Sequence, residues 1–484
     1  MKLITRSLTT VTTPLFILLT IGSFTFIPAA KAVSPPPGGG YPGGNTATGQ
    51  SALLSLGTGI YNTANGIFTL ESNSEGKLNT AIGAGTLLLN TADENTATGA
   101  GALLSNTTGG PNSANGAFAL FSNTTGTNNN AFGFEALFSN TTGPFNNAFG
   151  NGALSSNSTG DRNTAIGEGA LLANTTGFQN IAIGVSALRN NSTGNNNIAI
   201  GQDTCSQSQG GQFNTAVGSN ALEFNTVDGN TAIGAFALVN NSTGASNTAT
   251  GGGALETNSA GIDNTADGLN ALFNNTGNDN TAVGFGAGAS ATTGSNNIYI
   301  GSGMVGLAGE SNACHIASIF GQTVDPTDDL AVFVDGTGKL GTTVSSQRFK
   351  DGIKPMAEAS EVIMAFKPVM FHYKGDPKNT PQYGLIAEDV AKVNPHLVAR
   401  DRNGEIMSVH YDQVWNMLLN EFLKEHRKVQ EQEAKIAQIE TDFQTKVADQ
   451  QKQIEALRMG IQKVSAQLDV AKSPAQMVST NQER

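Results

Sequence analysis

NTAIGEGAL, Asn163 to Leu171, decides the fold of this chain because it recurs. Aligned on Asn-x-Ala-x-Gly, repeats begin at Asn45, Asn62, Asn79, Asn95, Asn112, Asn129, Asn146, Asn163, Asn180, Asn197, Asn214, Asn230, Asn247, Asn264, Asn280 and Asn297. The spacing is 17 residues, and three times 16. Self-similarity this strict marks a solenoid, in which each unit buries its face only against its neighbours.

Positions within a repeat have separate physical tasks. The third is Ala in fifteen of sixteen units, Tyr299 being the exception, the fifth is Gly from Gly49 to Gly301, and the ninth is mostly Leu. Ala lets backbones approach closely, and Gly admits a bend with positive φ that a side chain would forbid. The runs Asn106–Gly109 and Asn157–Gly160 (NTTG, NSTG) are turn chemistry. Each unit is therefore expected to hold two short strands and two turns. Stacking sets each asparagine over the next, so that side-chain amides form a ladder along the axis. With about 4.8 Å between stacked strands, one coil per unit gives a shaft of roughly 75 Å. Its core is thin, and association of several shafts would bury more area. The fourth position, Ile166 or Phe149 in some coils and Thr250 or Asp267 in others, offers a face for such contact.

The unit Asn163–Leu171 resembles the head repeats of trimeric autotransporter adhesins, which implies a left-handed parallel β-roll in three copies. The chain departs from that family in its 17-residue period and shows no C-terminal membrane-barrel pattern.

Charge separates the shaft from the C-terminal part of the chain. Residues 33–344 hold 19 Asp and Glu against 4 Lys and Arg, whereas residues 345–484 hold 19 of each, so the net charge of −12 lies ahead of Ser345. An acidic, lysine-poor surface repels phosphate backbones and argues against a nucleic-acid partner. Lys2 and Arg6, the apolar run from Pro14 to Pro28 and Ala30-Lys31-Ala32 read as a secretory signal over residues 1–32. Export is expected, with no transmembrane anchor after its removal, because no later segment reaches the roughly 20 apolar residues of a span.

Several chemistries find no support in the repeats. Glu135, Asp161 and Glu168 recur at no fixed position, so no paired-carboxylate site repeats. A threonine row at the second position (Thr46, Thr63, Thr80, Thr96, Thr164, Thr215, Thr231) hints at an ice- or ligand-binding face. Ser113, Asn130, Asn147 and Ile181 interrupt it, which favours plain strand propensity. Sequons such as Asn123-Thr-Thr read as turn residues first and glycan acceptors second. Cys205 takes a leucine position and reads as a buried thiol; it stands 109 residues from Cys314, so no intrachain disulfide is expected. The period stops after Gly301, and Leu330–Leu340 reads as a hairpin turning at Asp335-Gly336 that caps the shaft.

From Ser345 the ordered set SSQRFKDGIKP, KPVMFHYK (Lys367–Lys374), YGLIAEDV (Tyr383–Val390) and NPHLV (Asn394–Val398) resembles the intramolecular chaperone of endosialidases and phage tail fibres, a self-cleaving serine peptidase family. The resemblance implies a domain that trimerises, guides folding of the fibre ahead of it and releases itself by cutting before its first serine. Here that bond is Val344–Ser345. The family pattern S-D-x-R-L-K assigns Ser345 as nucleophile and Lys350 as general base; Ser346 stands in place of Asp and Phe349 in place of Leu. A lysine serves as base only where desolvation or neighbouring cations lower its pKa, and Arg348 and Lys354 stand near Lys350. His372, His396 and His410 lack metal-ligand spacing, so neither metal nor other cofactor is expected.

YGLIAEDV reads as a strand running into a helix with Glu388 and Asp389 in its first turn. A long helix begins at Tyr411, with a coiled-coil seam at Phe443, Val447, Gln450, Ile454, Leu457, Ile461, Val464 and Leu468. The expected fold is mainly β: a parallel β-roll or solenoid shaft of 17-residue repeats, a small α+β chaperone domain and a C-terminal trimeric coiled coil. The expected boundaries are a signal peptide at 1–32, a Pro/Gly linker at 33–44, the shaft at 45–301 and the neck and cap hairpin at 302–344. The chaperone and autoprotease domain comes next at 345–411, then the helix and coiled coil at 412–470 and a disordered tail at 471–484. The functional expectation is an exported, secreted or surface-held homotrimeric fibre, with self as partner and an unnamed surface or glycan receptor. The alternatives are an uncleaved adhesin on a permanent coiled-coil stalk and a ligand- or ice-binding solenoid.

Overall fold

One short strand per repeat carries the array. In the computed structural model, which describes residues 41–471 apart from Pro326, Asp328, Gly336 and Arg402, strands β1 (Thr46–Thr48) to β16 (Ile298–Ile300) each come directly after a repeat asparagine. The expected signal peptide, most of the linker and the tail beyond Ala471 lie outside the described residues. Strands pair in parallel without slip, Ala47 opposite Ala64 and Ala165 opposite Ala182. The chain forms two compact units, one ending at Thr323 and one beginning at Val324.

The expected amide ladder is present and satisfies the backbone as well as itself. Asn163 Oδ1 accepts the N–H of Asn180 at 3.0 Å, and Asn163 Nδ2 donates to Gly177 O at 2.8 Å. A second column, missed in the sequence, is built from the turn asparagines: Asn174 Nδ2 donates to Asn157 Oδ1 at 2.8 Å and to the same Gly177 O at 3.0 Å. Asn123 belongs to this column and is wholly buried, so its sequon sits inside the coil stack. The 16-residue units lose their residue in this turn, yet Asn95 N still reaches Asn79 Oδ1 at 2.9 Å. Between the columns lie the fully buried Ala165, Ala170 and Leu171 and their equivalents, with Cys205 in the leucine row. Both cysteines are free, Cys205 buried and Cys314 exposed.

The expectation of two strands per coil is corrected. The far side of each coil is a run of tight turns in which the seventh and ninth residues, such as Glu135 and Leu137, have φ of 54° and 55°. Left-handed backbone costs an L-residue about 1–2 kcal/mol and interrupts any extended strand. Bonds from coil to coil hold it there, for example Leu137 N to Ala153 O at 3.0 Å.

The end of the array is also corrected. A seventeenth strand, β17 (Cys314–Ile316), pairs with β16, so the period runs one coil past Gly301. Ala313 replaces the marker asparagine and His315 the alanine, which hid this coil from the motif. Its neighbour Tyr299 is fully buried, and room for its ring exists because the preceding ninth residue is Gly288, where a Cβ would lie 2.7 Å from that ring. His315 stacks on Tyr299 at 5.6 Å and pairs with Glu310 at 2.8 Å.

The second unit begins with the hairpin of β18 (Val332–Val334) and β19 (Leu340–Thr342), paired antiparallel. Asp335 Oδ1 accepts N–H bonds from Thr337 and Lys339 in the turn, while Gly336 lies outside the described residues. Two further small ladders are β20 (Val369–Phe371) with β21 (Gln382–Gly384), and β22 (Val398–Arg400) with β23 (Ile406–Val409). Helix α1 (Ala387–Val393) carries Glu388 and Asp389 in its first turn, and α2 runs from Tyr411 to Ala471. The core is small: Val390, Leu397, Val398, Val409 and Met417. Only the start of α2 packs here. Its anchor is polar, with Asn420 Nδ2 donating to Ser360 Oγ at 2.7 Å and Glu421 accepting from Ser360 Oγ and from Lys424 Nζ. All eight seam residues from Phe443 to Leu468 are exposed in the single chain.

Three measurements test this packing. A Cβ on Gly150 (φ 143°) would lie 2.4 Å from Gly167 O, whereas Gly286 (φ 62°) has nothing within 4 Å. In thermal unfolding followed by circular dichroism, Gly150→Ala is expected to cost about 2–4 kcal/mol and Gly286→Ala about 1 kcal/mol. Burial pushes the Cys205 thiol up to about 12, so at pH 8 one thiol, Cys314, should label rapidly and Cys205 only on unfolding. Two fast thiols would contradict the buried leucine row. The hydrogen bonds from Lys424 and then Ser360 hold the Glu421 carboxyl below the usual carboxylate range. Its stabilisation is therefore present above the unfolded value and lost as pH falls through the lower folded value. Glu421→Gln should flatten this acid limb in denaturant titrations followed by the single Trp, Trp415.

Candidate functional site

The junction between the hairpin and the segment that begins at Ser345 is built by one turn. After β19 the chain reaches Ser346 in extended conformation (φ −60°, ψ 139°), and Gln347–Phe349 then forms a single 3-10 turn. Phe349 N bonds to Ser346 O and Lys350 N to Gln347 O, each at 3.0 Å. This reversal brings the end of the Lys350 side chain back along the chain. Lys350 Nζ lies 3.0 Å from Ser345 Oγ and donates to it. The five-residue spacing that singled out this pair is thus the spacing of one tight turn plus the reach of a lysine.

The other junction residues have different roles. Ser346 begins the turn but makes no side-chain cap, and the lysine bonds to Ser345 rather than to it. Arg348 lies over the Phe349 ring, 4.6 Å from guanidinium carbon to centroid, so the aromatic at the usual leucine position supports a cation. Val344, Ser345 and Lys350 are all exposed. An ammonium bonded to a hydroxyl is the donor of the pair; with its proton gone, the same contact lets Ser345 donate and lose its proton. Lys350 is exposed to water among the described residues, whereas a lysine that acts as a base needs desolvation or neighbouring cations.

Other candidates lead away from chemistry. His372 and His396 are exposed, His410 is half-buried, and no metal-binding group of His, Cys, Asp or Glu occurs among the described residues. A cleft of about 300 Å³ lies between Phe366 and α1, floored by Leu385, Ile386, Val390 and Val393. Its rim carries Asp389, held below the usual carboxylate range by the hydrogen bond from Lys392 at 2.6 Å. That carboxylate is spent on its ion pair. The second-position threonines lie on the outward side of the strands, interrupted where the sequence interrupts them, as at Asn130 and Ile181. No described helix is long and apolar enough to cross a membrane.

Comparison with known proteins identifies the segment behind this junction. Residues 345–399 match the family described as chaperone of endosialidase, and the match begins at Ser345 itself. No curated protein and no solved structure matches the chain significantly. Residues 345–399 are thus similar to the chaperone-of-endosialidase family, and in the chain they follow the β-solenoid shaft and the hairpin of β18 and β19.

Proposed function

We propose that this protein is an exported homotrimeric fibre whose C-terminal domain assembles and folds the shaft and is then released by one self-cleavage between Val344 and Ser345. The observation that carries the reading is the 3.0 Å contact of Lys350 Nζ with Ser345 Oγ at the first residue of the family match. In the trimer, neighbouring copies desolvate Lys350 so that its ammonium gives up a proton to solvent and the neutral amine takes the hydroxyl proton. Ser345 Oγ then attacks the Val344 carbonyl carbon, the peptide C–N bond breaks as the ester C–O bond forms, and the lysine returns the proton to the departing nitrogen. Water opens the ester. Direct hydrolysis, with the hydroxyl passing on the proton of a water, is the rival route. Each chain cuts once, with no turnover on other substrates.

The exposed seam of α2 supports the trimer, because an apolar stripe along a helix this long needs partners of its own kind. The signal sequence supports export, and the product would be a secreted or surface-held shaft with adhesive use. A receptor at the surface is part of this proposal. The uncleaved adhesin with a permanent stalk is its replacement should the bond stay intact.

Electrophoresis of the purified chain decides between them. Wild type is expected to lose a 140-residue C-terminal fragment, Ser345→Ala to stay whole, and Lys350→Ala to cleave about 10²–10⁴-fold more slowly. Lys350→Arg should fail as badly, since a guanidinium keeps the charge but cannot accept the proton. Intact wild type in a solution where the trimer is present would overturn the proposal.

A further inference from the structure

Among the described residues, no other strand pairs with the hairpin of β18 and β19 just ahead of the proposed scissile bond. Leu330, Val332, Val334 and Leu340 are each more than 60% exposed, with Phe333 at 43% and Val344 at 55%. Every residue of β18 and β19 is open on both faces of the ladder. An antiparallel sheet ordinarily lays one face on a core, and a lone two-stranded hairpin is marginal in water. Among the described residues neither face is covered, and β18 and β19 pair only with each other, which leaves both outer strand edges open there as well. The only described charges between Leu330 and Val344 are Asp335 and Lys339, both at the turn.

We infer that this hairpin is a self-association clamp, packing against the same hairpin of two further copies and holding the shaft together once the chaperone domain has left. The inference rests on the trimer reading above and adds what happens after cleavage. Three observations favour copies of this chain as the occupant. The hairpin ends at Thr342, close to Ser345, so in any trimer of the chaperone domain each hairpin is tethered within three residues of the domain that gathers the copies. That tether raises their effective concentration without any new contact. Uncharged apolar surface on both faces also suits a threefold cluster, in which each hairpin meets two neighbours, better than a one-sided docking. Finally, the cut at Val344 leaves the clamp on the shaft and removes α2, whose exposed seam could otherwise do the holding.

The test uses the full chain. After cleavage, the wild-type shaft should sediment at three times its chain mass, and Val332→Asp with Val334→Asp should sediment at one chain mass. Protection of Cys205 from labelling verifies that the variant shaft is folded. A monomeric wild-type product, including one that instead recruits another protein, overturns the clamp while leaving cleavage intact. A variant product that stays trimeric also overturns it. A second arm is independent of cleavage: in a Ser345→Ala, Cys314→Ser chain, cysteine placed at Val334 or at Phe333 should be linked between copies by a short bis-maleimide. The yield at one site or both should survive tenfold dilution. No linkage at either site overturns the clamp; linkage in a chain that wild type never cuts retains it and overturns only the release.

Discussion

A single carbonyl, repeated once per coil, receives both asparagine columns, and the shaft depends on that node. Gly177 O accepts from Asn163 at the start of its own repeat and from Asn174 of its own turn, while Asn163 Oδ1 takes the N–H of Asn180 of the next coil. A buried amide can meet both demands because it carries donor and acceptor together; a carboxylate would supply only acceptors and would stack like charges. The node fixes where the turn lies relative to the next strand. The rest of the coil is built around that fixed height. The fifth residue must be glycine because the next coil's carbonyl occupies the place of its Cβ, and leucine accepts a left-handed backbone at the ninth position because stacking on both sides leaves it no alternative.

Where a column is interrupted, the cost is visible. Ser208 stands where the turn asparagine is due, and Asn191 Oδ1 is one of three buried side-chain atoms left without a partner among the described residues. The same coil carries Cys205 in the leucine row. Substitutions are better absorbed where size is compensated across coils, as with Gly288 and Tyr299. The array thus tolerates change in packing volume more readily than in hydrogen bonding, as expected when a thin core leaves polar contacts to specify register.

The C-terminal unit obeys opposite rules. Its core is five buried side chains, and most of α2 and both faces of the hairpin lie open. Such a unit is poorly satisfied as a single chain, and its exposed surfaces are where the proposed trimer would be made. The contact of Lys350 with Ser345 forms locally, through one turn, and needs no partner. In the proposed trimer, neighbouring copies would remove the water around it, which would tie cutting to completed assembly.

The repeat asparagines, alanines and glycines by themselves determined a parallel solenoid with an amide ladder, because each position's chemistry recurs at a period that only stacking can use. The ordered motifs from Ser345 likewise determined which domain stands behind the shaft. Tertiary structure alone decided that the far side of each coil is turns rather than strand, since left-handed leucines carry no signature in a propensity. It revealed the coil hidden behind Ala313 and His315, whose membership is set by pairing and not by motif. For Ser345 and Lys350, which the motif spacing had already singled out, it added the contact itself, because a 3-10 turn fixes direction as well as spacing. The second asparagine column was legible in the recurring NTTG and NSTG runs, yet only burial distinguished a ladder from a row of surface turns.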